Sequence, residues 1–546
     1  MGSTNIKKVL IANRGEIALR VQRAAKKLGI KSVCIASDAD KNSMFARNAE
    51  ELKLIGGLTP QDSYLNFEKV IQAAKETGCD AVHPGYGFLS ENADFAARVV
   101  KEGMIFIGPT AEAIRTLGSK TGARAAVTKR NVPTTPGSKG GLADAELIKE
   151  AERIQFPVII KAVAGGGGRG MRVVNSTLEM KEILPRARAE AKKNFSSDDV
   201  YIEKYIIQPR HVEVQIFGDS HGNVVHFGTR DCSTQRRHQK LIEEAPAPYL
   251  SDKLRSEIHA AAVSSAQSVG YSNAGTAEFL VSGDSFYFLE MNTRIQVEHP
   301  VSEEITGTDL VALQFEVAMG GNVPRQEDIR FCGHAIEFRI YAEDPENNFA
   351  PSIGKVSTIK RFSESFVRED YGFESGDEVT PYYDAMLSKL IIKGATREEA
   401  ILNSIRAFKV YKVEGLKTTI PFHKWLLLNK TFQESCIDIG YIEREFKDAK
   451  KLLSEVAARE IVDPLFRTGP EGLEILEFYK YRSQKFEAEY VLEVLHRNDG
   501  VFVVTPTDGS GKRAKNKNCR ASNGLKTALR TVMTDVLENV PPGQVY

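Results

Sequence analysis

The sequence has 546 residues, enough for three or four domains of about 150 residues each. Its 73 basic and 72 acidic side chains nearly cancel, so the net charge gives no general attraction to nucleic acid or to an anionic membrane. Hydrophobic residues make up 42% and charged residues 27%, as in ordinary globular proteins. With no apolar run near the roughly 18 residues of a membrane span, these features exclude a single small module, a disordered chain and a membrane-spanning protein.

The cysteines are far apart in the sequence and include no CxxC pair, which argues against a zinc cluster or a disulfide framework. The first eight residues lead directly into a strand-like segment without the apolar core and cleavage site of a signal peptide. We therefore expect a reducing compartment, the cytoplasm, although removal of a transit peptide would leave no trace.

The first hundred residues alternate short β-branched runs with amphipathic stretches, which predicts a parallel α/β sheet. The predicted strands are Val9–Ala12, Ser32–Ile35, Ala81–Val82 and Ile105–Ile107, and the predicted helices are Ile17–Leu28 and Phe67–Thr77. Two loops, Asn13–Glu16 and His83–Phe88, follow predicted strands at the sheet edge where ligands usually bind. The alternative is that they are glycine turns selected only for backbone geometry.

A helix is expected near Leu117–Lys129 and a strand over Pro157–Ala162, followed by a run with five glycines in six positions, Gly165–Gly170. Glycines leave backbone N–H groups uncrowded and able to wrap a phosphate chain. The spacing matches neither a Walker A loop nor a GxGxxG turn. A flexible linker is the alternative, but Lys161 and Arg169 flank the run, which favours a lid over a triphosphate.

The segment Glu290–Glu298 alternates polar and apolar residues, which predicts a strand with one polar face. Glu290, Asn292, Arg294, Gln296 and Glu298 would share that face, while Met291, Ile295 and Val297 would pack on the other. An exposed outer strand is possible, but this succession of carboxylates, amides and a guanidinium is more typical of an active-site floor.

A preceding strand, Gly275–Leu280, predicts a hairpin with Phe286–Glu290. With a three-residue loop, Gly283–Ser285, Glu278 pairs directly with Glu290, whereas a two-residue loop would put the two on opposite faces. Adjacent carboxylates repel unless a cation lies between them. Oxygen ligands close to phosphate favour Mg²⁺ or Mn²⁺.

Two other segments carry polar side chains suited to a nucleotide. The strand end Val200–Ile206 offers backbone groups to an adenine edge, and His211, Glu213 and Gln215 follow with a period of two. Arg230–Lys240 contains five basic side chains in eleven residues, usually a solvated loop but an anion cradle beside a triphosphate.

Together, six motifs closely resemble biotin carboxylase, an ATP-grasp enzyme, over roughly Ile6–Glu445. The motifs are ANRGEIA from Ala12, HPGYGFLSEN from His83, KAVAGGGGRGM from Lys161, RDCSTQRRHQK from Arg230, EMNTRIQVEHPV from Glu290 and FRIYAEDP from Phe338. The resemblance implies an α/β and α+β chain with an ATP-grasp fold: a Rossmann-like parallel-sheet domain at 1–115, the ATP-grasp domain at 116–330 with a mobile glycine-rich lid at about 135–204, and an α+β domain at 331–450.

The family reaction uses ATP to activate bicarbonate as carboxyphosphate and carboxylates N1 of biotin carried on a partner protein. By resemblance, the cofactor-binding residues are Lys120, Lys161, Gly165, Gly166, Gly167, Gly168, Met171, Glu203, Lys204, Ile206, His211, Gln235 and His238. The metal ligands, for two Mg²⁺ or Mn²⁺ ions, are Glu278 and Glu290 with Asn292 nearby. The catalytic group comprises Arg294, Gln296 and the Val297 amide for bicarbonate, Glu298 as general base, Arg339 for the biotin enolate, and Lys240 and Tyr86 lining the pocket.

The sequence has no Ala/Val-Met-Lys-Met biotin-acceptor motif, so the resemblance implies a separate biotin carboxyl carrier protein and a carboxyltransferase subunit, in a homodimer or larger hetero-oligomer. Residues 461–546 extend beyond the usual subunit. They contain a predicted hairpin, Glu487–Leu495 with Val501–Thr505, and a basic stretch from Lys512 to Arg530, which favours a docking element over a disordered tail. The alternatives to the main reading are another ATP-grasp ligase and an inactive nucleotide-binding subunit. The final carboxyl acceptor is not visible in the sequence.

Overall fold

The structure is a computed structural model that describes residues 5–163, 171–195, 197–460, 465–469, 472–482, 485–486, 489–496, 502–507, 520–522, 525–540 and 545. The chain divides into two units, Met1–Lys447 and Asp448–Tyr546. Within the described ranges, no helix combines the length and apolar character that a membrane crossing requires.

The N-terminal part is a five-stranded parallel sheet in the order β3-β2-β1-β4-β5, as the alternating pattern predicts. The strands are β1 (Lys8–Ile11), β2 (Lys31–Ala36), β3 (Glu51–Leu54), β4 (Ala81–His83) and β5 (Ile105–Phe106). The helices are α1 (Gly15–Lys27), α2 (Met44–Arg47), α3 (Phe67–Glu76), α4 (Ala93–Lys101) and α5 (Ala111–Gly118). The loops after β1 and β4 are tied together because the Asn13 side-chain amide donates to the carbonyls of Pro84 and Tyr86.

The helix expected near Leu117–Lys129 is confirmed over most of its length, but it starts later, because the preceding helix includes Leu117 and Gly118. Helix α5 ends at Gly118, and α6 (Lys120–Thr128) starts anew with Ser119 as its N-cap, whose hydroxyl accepts from the Gly122 amide. Serine at an N-cap satisfies an amide that a helix otherwise leaves unpaired.

A small antiparallel sheet follows, in the order β7-β6-β8, and two helices pack on it. These elements are α7 (Asp144–Ile154), β6 (Val158–Ala162), β7 (Arg172–Val174), α8 (Thr177–Phe195) and β8 (Val200–Lys204). The glycine run joins β6 to β7, but residues 164–170 lie outside the described residues, so the lid prediction there has no structural account.

An eight-stranded antiparallel sheet in the order β13-β12-β9-β10-β11-β14-β21-β19 is the centre of the first unit. Its strands are β9 (Arg210–Gly218), β10 (Val224–Arg236), β11 (Gln239–Ala245), β12 (Asn273–Ser282), β13 (Ser285–Asn292), β14 (His334–Tyr341), β19 (Val367–Tyr371) and β21 (Met386–Gly394). Strands β14, β19 and β21 follow residue 330, so one sheet continues across the predicted limit between the ATP-grasp and C-terminal domains.

Helices and short strand pairs complete this unit. The helices are α9 (Asp252–Gln267), α10 (His299–Thr306), α11 (Leu310–Ala318), α12 (Arg397–Val410), α13 (Ile420–Leu427), α14 (Lys430–Gln433) and α15 (Tyr441–Glu445). The paired short strands are β15 (Glu343–Asp344) with β16 (Ala350–Pro351), β17 (Gly354–Lys355) with β20 (Glu378–Val379), and β18 (Thr358–Lys360) with β22 (Lys412–Glu414).

The second unit is a five-stranded antiparallel sheet with helical segments. It contains α16 (Ala449–Glu460), β23 (Leu465–Gly469), β24 (Gly472–Arg482), β25 (Glu489–His496), β26 (Phe502–Thr507), β27 (Arg520–Ser522), α17 (Leu525–Thr531) and a π-helical turn at Val532–Leu537. The predicted hairpin is confirmed, because β25 pairs with β26 and Val494 lies opposite Val504. Most of the basic stretch from Lys512 lies outside the described residues.

Candidate active site

A cavity of about 1180 Å³ in the first unit brings together most of the predicted site residues. Its lining includes Lys161, Met171, Glu203, Lys204, Ile206, His211, Gln235, His238, Lys240, Glu278, Glu290, Asn292, Arg294, Gln296, Val297, Glu298 and Arg339. The side chain of Lys120 and all of Gly165–Gly168 lie outside the described residues.

Tyr86 does not line this cavity among the described residues, unlike the expectation from the sequence. Its hydroxyl donates a hydrogen bond to Glu16, and the ammonium of Lys389 lies 3.1 Å from the same carboxylate. That ammonium also donates to the Val297 carbonyl at 2.8 Å. Tyr86 therefore connects to the site indirectly, through Glu16 and Lys389.

The expected strand over Glu290–Glu298 is only partly present. Strand β13 ends at Asn292, the next residues form bends and turns, and Glu298 is the N-cap residue of α10. The cavity nevertheless receives Asn292, Arg294, Gln296 and Glu298, while Ile295 is fully buried elsewhere. Val297, expected on the apolar face, also lines the cavity, because strand alternation does not continue through the turn.

The ammonium of Lys240 lies among three carboxylates. Its Nζ is 2.6 Å from Glu213, 2.6 Å from Glu298 and 3.1 Å from Glu278. Burial opposes the charge on Lys240, but these neighbours raise its pKa well above the usual range. Lys240 is therefore a permanent cation at the centre of the site.

Glu298 lies between two cations, since Arg339 Nη2 contacts its other oxygen at 2.9 Å. Burial opposes ionisation of Glu298, but the charges of Lys240, Arg339 and Arg230 hold its pKa well below the usual range. The carboxylate is thus ionised and fixed in orientation. A substrate that uses it as a base must first replace one of these contacts.

The sequence reasoning missed Arg230, which it treated only as part of a basic run. The Arg230 side chain is fully buried and makes five hydrogen bonds. They run to Glu213 (2.5 Å), Gln215 (2.7 Å), Ser302 (3.0 Å), Thr276 (3.1 Å) and Gln296 (2.6 Å). Arg230 therefore fixes Gln296 and Glu213 from behind the cavity. The period-two pattern of Glu213 and Gln215 was the available signal.

The direct pairing of Glu278 with Glu290 is confirmed, but the loop that was expected to produce it is wrong. Ser282 pairs with Ser285 across a two-residue turn, and a bulge at Leu289 restores the register. Glu278 accepts from the Asn292 and Gln296 amides, each at 2.8 Å, and His211 Nε2 lies 3.0 Å away. The charges of Lys240 and His211 overcome the effect of burial and lower the pKa of Glu278.

Arg294 is oriented by residues on both sides. Its Nε donates to Glu91 at 2.9 Å, and its Nη2 donates to the side-chain Oδ1 of Asn292 at 3.0 Å. Glu91 belongs to the predicted His83–Asn92 motif but was not assigned a role. The contact joins that motif to the turn that follows β13.

A second group of charges, called the Glu203 cluster, consists of Lys161 and Glu203 on the three-stranded sheet and Arg124 on α6. Lys161 contacts one oxygen of Glu203 and Arg124 contacts the other, at 2.5 Å. Lys204 donates to the carbonyls of Gln155 and Phe156, both at 3.0 Å. His211 and Gln235 contact each other at 3.2 Å.

The basic run at 230–240 is a hairpin of β10 and β11 rather than a loop. Arg237 and His238 form its turn with φ of 48° and 66°, a left-handed conformation that side chains disfavour. Of the five basic side chains, His238 and Lys240 line the cavity, while Arg236 bonds to Asn348. The anion cradle expected of the whole run is thus reduced to two residues.

Three family models match the chain and divide it in sequence order. They are the biotin carboxylase N-terminal domain at residues 5–114, the carbamoyl-phosphate synthase L chain ATP-binding domain at 119–326, and the biotin carboxylase C-terminal domain at 337–444. The fold and the site therefore define an ATP-grasp ligase.

The relatives identify the family more closely. The chain is 50% identical over 443 residues to a biotin carboxylase of Haemophilus influenzae, covering 81% of this chain and 99% of that protein. It is 48% identical over 443 residues to a biotin carboxylase of Pseudomonas aeruginosa, with coverage of 81% and 98%. The chain belongs to the biotin carboxylase family and is an ATP-dependent enzyme of that family.

A solved structure supports the same family assignment. The biotin carboxylase domain dimer of Hydrogenobacter thermophilus 2-oxoglutarate carboxylase, in complex with MgADP, ADP and bicarbonate, is 43% identical, with a TM-score of 0.77. The match covers 82% of this chain and 99% of that chain.

Proposed function

We propose that the cavity activates bicarbonate with ATP as carboxyphosphate and carboxylates N1 of biotin on a separate carrier protein. The observation that carries the proposal is the ionised Glu298, held between Lys240 and Arg339 at 2.6 and 2.9 Å within the cavity. A carboxylate in this position can take the proton of bicarbonate as the bicarbonate oxygen attacks the γ-phosphorus and ADP leaves.

Bicarbonate is assigned to the turn after β13. Arg294 offers a fork of N–H groups to a planar oxyanion, and its orientation is fixed by Glu91 and Asn292. Gln296 and the Val297 amide complete the set, since Arg230 holds the Gln296 side chain and Lys389 holds the Val297 carbonyl. Each proposed bicarbonate donor thus has a partner that fixes it.

The carboxyphosphate would release CO₂ and phosphate. Biotin N1 is a poor nucleophile until its ureido oxygen carries negative charge, and Arg339 is placed to stabilise that charge. Neighbouring Glu243, Tyr341 and Glu298 overcome the effect of burial and raise the pKa of Arg339, so it stays cationic and does not lose a proton to the enolate. The phosphate released with CO₂ is the acceptor for the N1 proton.

The nucleotide is assigned to the cavity wall that contains Lys161, Met171, Glu203, Lys204 and Ile206, with His211, Gln235 and His238 at the phosphates. Lys120 and the glycines at 165–168 remain predictions from the sequence. A divalent cation, Mg²⁺ or Mn²⁺, would be held by Glu278 and Glu290, because directly paired carboxylates offer hard oxygen ligands. Such an ion supplies charge neutralisation at the phosphates, and Asn292 orients Glu278 for it.

The test is ATP hydrolysis by the purified chain with and without bicarbonate, and with free biotin. We expect hydrolysis that requires bicarbonate and increases with biotin. Hydrolysis that ignores bicarbonate but requires an amine would instead favour another ATP-grasp ligase. No hydrolysis at saturating Mg²⁺ in a folded protein would favour an inactive nucleotide-binding subunit.

We also propose that the second unit docks a partner carboxylase subunit. These 546 residues contain no biotin-acceptor motif, which supports a biotin carrier outside them. All residues assigned to the chemistry lie within the first unit. A chain ending at Lys447 should therefore retain biotin-stimulated ATP hydrolysis within about twofold and lose assembly with its carrier and carboxyltransferase partners. Loss of hydrolysis in a folded truncated chain would contradict the assignment.

A further inference from the structure

Two glutamates lie opposite each other behind Arg339, and neither lines the cavity. Glu243 on β11 pairs directly with Glu337 on β14. Directly opposed residues share a face, with Cβ atoms about 4.5–5.5 Å apart. Glu337 is two residues before Arg339, so the three side chains lie on one side of the sheet.

Both carboxyl groups are completely buried, and most of their oxygens are unsatisfied. Among the described residues, neither oxygen of Glu337 has a hydrogen-bond partner, and neither does Oε2 of Glu243. The other oxygen of Glu243 accepts from Arg339 Nε at 2.6 Å and also contacts Nη2 at 2.5 Å. Two negative charges in this position would have one close cation to share.

An unpaired ionised carboxylate is strongly disfavoured in a protein interior, and it takes up a proton instead. Burial raises the pKa of Glu337 well above its usual range, and Glu243 adds to the effect although Lys389 and Arg339 oppose it. Burial likewise raises the pKa of Glu243 to about 7 against the attraction of Arg339. The other charged groups facing the pair are Glu298 and Lys240.

We propose that Glu243 and Glu337 hold one proton between them and act as positioning residues for Arg339, an inference that rests on the function proposed above. The single negative charge on Glu243 fixes two nitrogens of the guanidinium. The neutral Glu337 fills the space behind it without adding a third carboxylate to Glu243 and Glu298. Arg339 thereby keeps a positive field toward a developing enolate.

The proton can be observed directly by infrared spectroscopy of the full chain at neutral pH, since a protonated carboxyl group has a carbonyl stretch that carboxylates lack. We expect Glu337→Gln to remove one such band, because the variant lacks the protonated carboxyl group while Glu243 stays ionised against Arg339. Glu244→Gln is the matched control. Glu244 is the next residue, equally buried, but it is held by His334 and Arg397, and those neighbours lower its pKa to about 2 despite burial. It should contribute no band. A spectrum in which Glu337→Gln removes no band would overturn the proposal.

Kinetics separate positioning from a purely structural role. Glu243→Gln should lower biotin-stimulated turnover at least tenfold while the KM for ATP stays within twofold, because it releases Arg339 and leaves the nucleotide contacts alone. Glu337→Gln mimics the protonated carboxyl group, so its turnover should stay within twofold of wild type and its Tm should be unchanged.

Wild-type turnover in Glu243→Gln, or a tenfold loss in a folded Glu337→Gln, would overturn the positioning role. Absence of bicarbonate-dependent hydrolysis in the wild type would contradict the proposed function, while the infrared result would still decide the protonation of the pair.

Discussion

Two groups of charged side chains, lining the cavity or lying directly behind it, differ in how firmly they are held. The acid-base cluster, consisting of Glu213, Arg230, Lys240, Glu298 and Arg339, has side chains between 0% and 13% exposed. In the Glu203 cluster, Arg124 is 29%, Lys161 19% and Glu203 11% exposed. Four members of the first cluster lie on the eight-stranded sheet and Glu298 lies at the start of α10, whereas Lys161 and Glu203 of the second lie on the three-stranded sheet.

The two clusters also differ in how far their contacts must change when substrates bind. Arg230 makes five hydrogen bonds from behind the cavity, so Glu213 and Gln296 are already held before a substrate binds. Lys161 and Arg124, in contrast, share the single carboxylate of Glu203. A phosphate that recruits Lys161 must compete with that carboxylate. Binding energy from ATP is therefore required to rearrange the second cluster, whereas in the first cluster the substrate replaces one contact of Glu298.

The largest expected effect is on the base. Glu298→Gln keeps the shape and removes the proton acceptor, so bicarbonate-dependent ATP hydrolysis should fall about 10²–10⁴-fold. ATP affinity, measured by calorimetry, should change less than threefold because the Glu203 cluster is untouched. Activity within tenfold of wild type would exclude Glu298 as the base. A comparable loss of ATP affinity would show that the two clusters are not separable.

The second prediction compares stability. Arg230→Met leaves the buried Glu213 with one cation fewer and should lower the free energy of unfolding by about 3–5 kcal/mol. Arg124→Met is the matched control in the Glu203 cluster and should cost about 1 kcal/mol or less, because the pair is partly exposed. Denaturant unfolding of both variants measures the difference. Equal costs would contradict the distinction between a preorganised and an adjustable cluster.

Much of this arrangement could be predicted from local sequence patterns. Short apolar runs alternating with amphipathic helices predicted the parallel sheet, and polar residues around Glu290 predicted the cavity wall. The pairing of Glu278 with Glu290 was also correct. The loop expected to produce this pairing was wrong. The register depends on a bulge at Leu289, which arises from packing between the strands and cannot be recognised in the sequence of the turn.

Tertiary contacts explain the remaining differences. Arg230 stands in a run of basic residues, and only the strand order β12-β9-β10 brings Glu213 and Thr276 to it. Strand β13 ends at Asn292 and a helix begins after Glu298, a change that the polar alternation concealed. The contact between Glu243 and Arg339 joins strands 96 residues apart in the chain, a separation that no local pattern reports.

The smallest effect is expected at Lys161, where the comparison predicts a change in binding without a change in fold. Lys161→Met removes a phosphate donor but also frees Glu203 from one cation, leaving Arg124 to hold it at 2.5 Å. The KM for ATP should rise about tenfold, equivalent to about 1.4 kcal/mol, while kcat and the Tm stay close to wild type. Lys129→Met is the control, since Lys129 lines the same cavity but is exposed, and its KM should change less than twofold.

An unchanged KM in Lys161→Met would mean that Lys161 keeps Glu203 as its partner throughout turnover and that ATP does not rearrange the Glu203 cluster. A large loss of kcat instead would place Lys161 with the acid-base cluster in function, despite its position on the other sheet.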